Sequence, residues 1–270
     1  MFILKYIYYF FAAANVRFFI VKKLHHVFFL SLSLHPILSN MEDVYLFNIH
    51  VIYYLIGLAV LLPRIPVVGK FFNIINTLVH EFGHTFVALI TNGQVKQIQV
   101  FNDTSGVTQT KSKSAFANFL ISIAGYPFAS VTAYLCFYLL SVGYEQWIVI
   151  GLSILFMFML ILWIRNKYGL LWVLLFVGLN GFLIYLNEPK YLLVAAWFYA
   201  LMLLWESVYS SLVLLYLSIR RSDVAGDATN LHKMTHVPAF FWALLFAAFA
   251  GFMAYKASVL PGSLVDVIGL

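Results

Sequence analysis

The chain has 270 residues, of which 63% are hydrophobic and 10% charged, with a mean hydropathy of +0.94 and a net charge of +6. Soluble domains carry about a quarter of charged residues, so this composition excludes a soluble globular enzyme and points to a polytopic all-α membrane protein built as one helical bundle. The positive balance comes from Lys and Arg at the ends of apolar stretches, the pattern of cytoplasmic loops, and implies no nucleic-acid partner.

Residues 1–43 are apolar and aromatic but irregular, interrupted by Lys5 and Arg17 and followed by Lys22, Lys23, His25 and His26. They read as an extra span, a signal-like segment without a small-residue cleavage site, or sequence upstream of a start at Met41. From Val44 the apolar runs become regular, each near the ~20 residues that cross a bilayer. Seven spans are expected, over 44–62, 71–91, 115–141, 146–164, 169–186, 191–217 and 238–255, so that 44–256 forms one membrane-embedded domain and 257–270 a tail. The cluster Pro63, Arg64 and Pro66 ends the first of them. Gly125, Tyr126 and Pro127 are expected to kink or interrupt the third. Between the second and third spans, VKQIQVF and GVTQT alternate with period 2 about a turn at Asn102 to Gly106, which predicts a small β-hairpin at the membrane surface. The single Cys136 lies in an apolar span and excludes an intramolecular disulfide.

Lys96, Lys111, Lys113, Arg165, Lys167, Arg220, Arg221 and Lys233 fall on one side of these spans, and Arg64, Lys70, Lys190 and Lys256 on the other. This asymmetry puts the hairpin and the 218–237 interval in the cytoplasm. His84 then lies seven residues, roughly 10 Å, before the cytoplasmic end of its helix.

The second span holds the chemistry. In FFNIINTLVHEFGHTFVALIT, His80 and His84 are four residues apart and therefore about 40° apart on a helix, so both imidazoles can face one metal ion. Glu81 lies beside them. This is the H-E-x-x-H arrangement, in which two neutral His nitrogens bind Zn²⁺ and the Glu handles the proton of an activated water. With eight His and five Glu in the chain, a chance match is expected in roughly one such sequence in two hundred. Three ionisable groups inside an apolar helix are costly unless they bind something.

A catalytic zinc takes three protein ligands and keeps a position for water. On residue grounds the third ligand is open among Asp223, Asp227, His232 and His236 in the polar interval after Leu217, with Glu206, a buried acid in LLWESVY, as the alternative. Asn118 and Asn180 are the candidates for stabilising an oxyanion, each with interhelical hydrogen bonding as its plainer role.

HEFGH in an apolar helix, NGQVKQIQVFNDTSGVTQT after it, SIAGYPFAS in the next span and GDATNLHKMTHVPAFFW near the end together resemble the site-2-protease-like intramembrane zinc metallopeptidases. The nearest likeness is to the compact bacterial B-type branch of metallopeptidase family M-fifty. The N-P-D-G and L-D-G segments that carry the aspartate in better-known site-2 proteases do not occur here. The resemblance implies that His80, His84 and Asp227 hold Zn²⁺ and that Glu81 is the catalytic base. It also implies a transmembrane protein as substrate, cleaved in the lipid bilayer of a bacterial inner membrane from a site open to the cytoplasm. The competing expectation is a non-catalytic membrane protein, a metal or proton transporter or a pseudoprotease, built on the same His and acid cluster.

Overall fold

A bilayer offers a backbone no hydrogen-bond partner but itself, and the apolar runs of this chain accordingly fold as helices. The computed structural model describes residues 45–46, 49–112 and 114–261; the expected N-terminal segment 1–43 and most of the tail lie outside the described residues. After the two-residue strands β1 (Tyr45–Leu46) and β2 (Ile49–His50) come helix α1 (Val51–Leu61), a 3-10 turn at Leu62–Arg64 and helix α2 (Val68–Ile90). A hairpin of β3 (Gln94–Val100) and β4 (Gly106–Lys111) follows. Then come α3 (Ala115–Ser141), α4 (Gln146–Leu162), α5 (Lys167–Leu186) and α6 (Pro189–Arg220). The short helix α7 (Gly226–Thr235) and the last helix α8 (Ala239–Ser258) complete the fold.

The expected count of about seven spans is not confirmed. Among the described residues four helices, α3, α5, α6 and α8, are long and apolar enough to cross a membrane, with a fifth span if α1 and α2, bent by 97°, are taken together. Helix α1 has 11 residues and rises only about 17 Å, half of the ~30 Å hydrocarbon core. Helix α4 has 17 residues and falls just short. The bend has a local cause. Pro63 and Pro66 have no N–H to continue a helix, and Val68 N donates to Pro66 O at 2.9 Å. That bond closes a γ-turn on Val67 at φ 70, ψ −62, a rare and strained conformation for a β-branched residue. Gly69 then meets the carbonyls of Leu62 and Pro63 so closely that an added Cβ would lie 2.4–2.6 Å from them. At Gly125 to Pro127 the chain is not interrupted, and α3 runs through Pro127 as one helix.

The hairpin forms where it was expected, paired antiparallel from Gln94↔Lys111 to Val100↔Gly106 with an irregularity between Val95 and Gln97. It lies along α2. Its turn is tied there by Lys70 Nζ, which donates to Asn102 Oδ1 at 3.0 Å, and by Thr77 Oγ1, which donates to Thr104 O at 2.7 Å. Ile98 and Val100 are fully buried against the bundle. The outer edge of β3 is covered by the α4–α5 link: Ile98 N donates to Trp163 O, and the Asn166 amide bonds both the N–H and the carbonyl of Val100. Among the described residues β4 has no backbone partner on its other edge.

Most helices share one apolar core that runs from Ile52 and Leu55 on α1 to Leu203 on α6. A second, smaller core holds α7. Ala225, Ala228 and Leu231, three residues apart on one face, pack with Leu214 of α6 and Ala239, Ala243 and Phe246 of α8, against Phe119, Ile123 and Tyr126 of α3. This docking places the start of α7 beside the middle of α2.

Candidate metal centre

His80 and His84 project from one face of α2 toward α3 and α7. Their Nε2 atoms lie 3.0 Å apart, and Asp227 Oδ2 lies 3.2 Å from the first and 3.3 Å from the second. Two imidazole nitrogens and a carboxylate oxygen therefore converge on one point. Lone pairs crowd together in this way only around a cation or a shared proton. A tetrahedral zinc with bonds of about 2.0–2.1 Å would set its ligand atoms roughly 3.3 Å apart, so the triangle fits that ion.

The surroundings favour the same fit. His84 Nδ1 donates to Ile121 O at 2.6 Å, which leaves its Nε2 as the free lone pair, the usual second contact of a metal-binding histidine. Gly125 of α3 faces the pair: an added Cβ would lie 2.5 Å from His80 Nε2 and 2.6 Å from His84 Nε2. The room beside both rings exists only because residue 125 has no side chain. Gly83 allows the same close approach from α2, where a Cβ would meet Phe128 Cβ at 2.6 Å. Asp227 sits in the first turn of α7 and makes no capping bond. Gly226, at φ 44, turns the chain into that helix in the left-handed region.

Glu81 is 5% exposed and is not a member of the triangle. Its Oε2 accepts from Thr108 Oγ1 at 2.6 Å. Its Oε1 lies against the Cα of Gly106, where a Cβ would approach to 2.6 Å. Strand β4 thus fixes the carboxylate with one oxygen engaged and the other free. These groups line a cavity of about 540 Å³ together with Asn76, Thr77, Ser122, Tyr126, Ser210 and Asn230.

The other expected site residues are elsewhere. Glu206 pairs with Arg64 at 3.4 Å and does not reach the triangle. His232 bonds Val237 O through Nδ1, while Asp223 and His236 are exposed. Asn118 and Asn180 do not line the cavity. Asn180 is fully buried between α4, α5 and α6, donating to Ser153 Oγ at 2.9 Å and accepting from Tyr199 OH at 2.7 Å. Thr108, Tyr126 and Asn76 are the residues that sequence reasoning passed over. Asn76 carried a signal, since it lies four residues before His80 on the same helix face, and its buried Oδ1 has no partner.

A family model described as Peptidase M50B-like matches residues 51–257, from the first residue of α1 into the last turn of α8. The chain belongs to the Peptidase M50B-like family. Among curated proteins and among solved structures none matches it. Membership makes this a multi-pass membrane protein of a peptidase family whose members are zinc metalloproteases, and the His/Asp cluster of this M50B-like chain suits that metal.

Proposed function

We propose that this M50B-like protein is a zinc endopeptidase that hydrolyses peptide bonds within or next to the transmembrane segments of other membrane proteins. The observation that carries the reading is the triangle of His80, His84 and Asp227, with a fourth group, Glu81, held beside it but outside it. His80, His84 and Asp227 would hold the ion, and Glu81 would be the base. Bound zinc supplies Lewis acidity, lowering the pKa of water and polarising a carbonyl. Glu81 takes one proton of the attacking water while the water oxygen bonds to the carbonyl carbon and the carbonyl π pair moves onto its oxygen. When the C–N bond breaks, Glu81 returns that proton to the leaving amine. Thr108 holds one oxygen of that carboxylate throughout.

A helical substrate hides its carbonyls in its own hydrogen bonds and must unwind before it reacts. The unpaired edge of β4, which carries Gly106 and Thr108 into the cavity wall, suits an extended segment added as a third strand. The Lys and Arg asymmetry of the loops supports an opening toward the cytoplasm of a bacterial cell. A transporter reading has no use for Glu81, because cargo exchange needs ligands and not an adjacent carboxylate oriented by a strand.

The test uses purified protein and a co-expressed single-span reporter with a Gly-Pro break at mid-span. We expect one zinc per chain and reporter cleavage in the wild type, and for Glu81→Gln full zinc content with cleavage abolished. Cleavage that survives Glu81→Gln would falsify the enzyme reading, and zinc retained in His80→Ala, Asp227→Ala protein would remove the assigned ligand set.

A further inference from the structure

Hydrolysis builds negative charge on the carbonyl oxygen, and a preorganised donor aimed at it typically contributes a factor of 10²–10³ in rate. Neither Asn118 nor Asn180 lines the cavity. The polar side chains around the triangle are mostly engaged: His84 Nδ1 with Ile121, Glu81 with Thr108, Asp227 with both imidazoles, Thr77 with Thr104. Tyr126 is different. Its ring is held on two sides, edge-on against His80 with centroids 4.7 Å apart and stacked on Phe246 at 5.1 Å and 18°. Tyr126 lines the cavity, and its hydroxyl donates to no described residue. Asp227 and Glu81 line the same cavity.

Resting on the peptidase reading, we infer that Tyr126 is a catalytic residue whose phenol O–H hydrogen-bonds the substrate carbonyl oxygen as it gains charge. The phenol keeps its proton, and no bond to it forms or breaks. A fixed ring with an unused hydroxyl suits this role, because a donor already in place loses no orientational freedom when charge develops. Asn76 is the rival. Its buried Oδ1 has no hydrogen-bond partner, and it lies one turn before His80 on α2, whereas the Tyr126 ring touches His80 itself.

Tyr126→Phe removes one oxygen and leaves the contacts with His80 and Phe246 in place. We expect kcat for the reporter in detergent micelles to fall 10²–10³-fold with KM unchanged. Zinc content should not change. Affinity for a phosphinic peptide, tetrahedral at phosphorus, should fall by the same factor, whereas affinity for the intact reporter segment, measured in Glu81→Gln protein with and without Tyr126→Phe, should not. An unchanged kcat, or a loss confined to KM, would overturn the assignment. So would a selective loss of phosphinic-peptide binding in Asn76→Ala with none in Tyr126→Phe. A wild type that binds zinc but neither cleaves the reporter nor binds the phosphinic peptide would sink the peptidase reading itself, a result distinct from failure of the Tyr126 role.

Discussion

Thr108 is where the hairpin touches the proposed chemistry. Its hydroxyl donates to Glu81 Oε2 at 2.6 Å and also lies 3.2 Å from the Glu81 carbonyl. Hydrogen bonds to charged groups are worth about 1.5–3 kcal/mol, and each 1.4 kcal/mol is tenfold in rate. Thr108→Val, which keeps the shape and removes the donor, should therefore lower kcat about ten- to a hundredfold while zinc content stays at one per chain. Steady-state cleavage of the reporter with metal analysis checks this, and a kcat within twofold of wild type would mean that Glu81 is oriented by helix packing alone. Thr108 was hidden in the sequence because β-register decides which residue of a strand meets a helix, and a five-letter alternating run gives the period but not the neighbour.

At the scale of elements, how legible each part was depended on whether local chemistry or a distant partner decided it. The bounds of α3 at Ala115 and Ser141 follow from Ser114, which caps by accepting from Ala117 N, and from the end of the apolar run. The hairpin follows from period-2 alternation about a polar turn. The 97° bend between α1 and α2 does not follow, because two prolines announce an end to helix α1 but not the angle at which the next begins. Asn180 misled for the same reason: its acceptor and donor, Ser153 and Tyr199, are on α4 and α6, and nothing in its own segment names them. The third corner of the triangle was open on residue grounds, since α7 is placed by Ala225, Ala228 and Leu231 packing on other helices. The covered edge of β3 is also a long-range feature. Asn166→Ala removes both bonds to the Val100 backbone, and hydrogen exchange at Val100 should accelerate about tenfold or more. Unchanged exchange there would show that the Ile98–Trp163 bond suffices to close that edge.

Across the whole molecule, a polar contact joins the bent pair α1 and α2 to the longest helix, α6. Arg64, in the 3-10 turn between them, pairs with the buried Glu206 of α6 at 3.4 Å, and its guanidinium lies 3.7 Å over the ring of Tyr209. The arginine side chain is 38% exposed, so solvent screens the pair and its net contribution is modest. The two ends are unequal. Removing Arg64 leaves an acid among apolar neighbours without its partner, whereas Glu206→Gln removes the charge and keeps a hydrogen-bonding group. Arg64→Ala should therefore destabilise the folded protein by roughly 1–3 kcal/mol and Glu206→Gln by less. The double substitution should resemble Glu206→Gln, because the orphaned charge is then gone. Arg64→Lys should recover only part of the loss, since an ammonium does not stack on Tyr209 as a planar guanidinium does. Thermal unfolding in detergent micelles, scored beside zinc content per folded chain, distinguishes a pair that secures the bend from one that shapes the metal site. Neither residue lines the cavity, so zinc content should hold in all four variants, and a parallel loss of metal would show that the bend itself sets the position of His80 and His84.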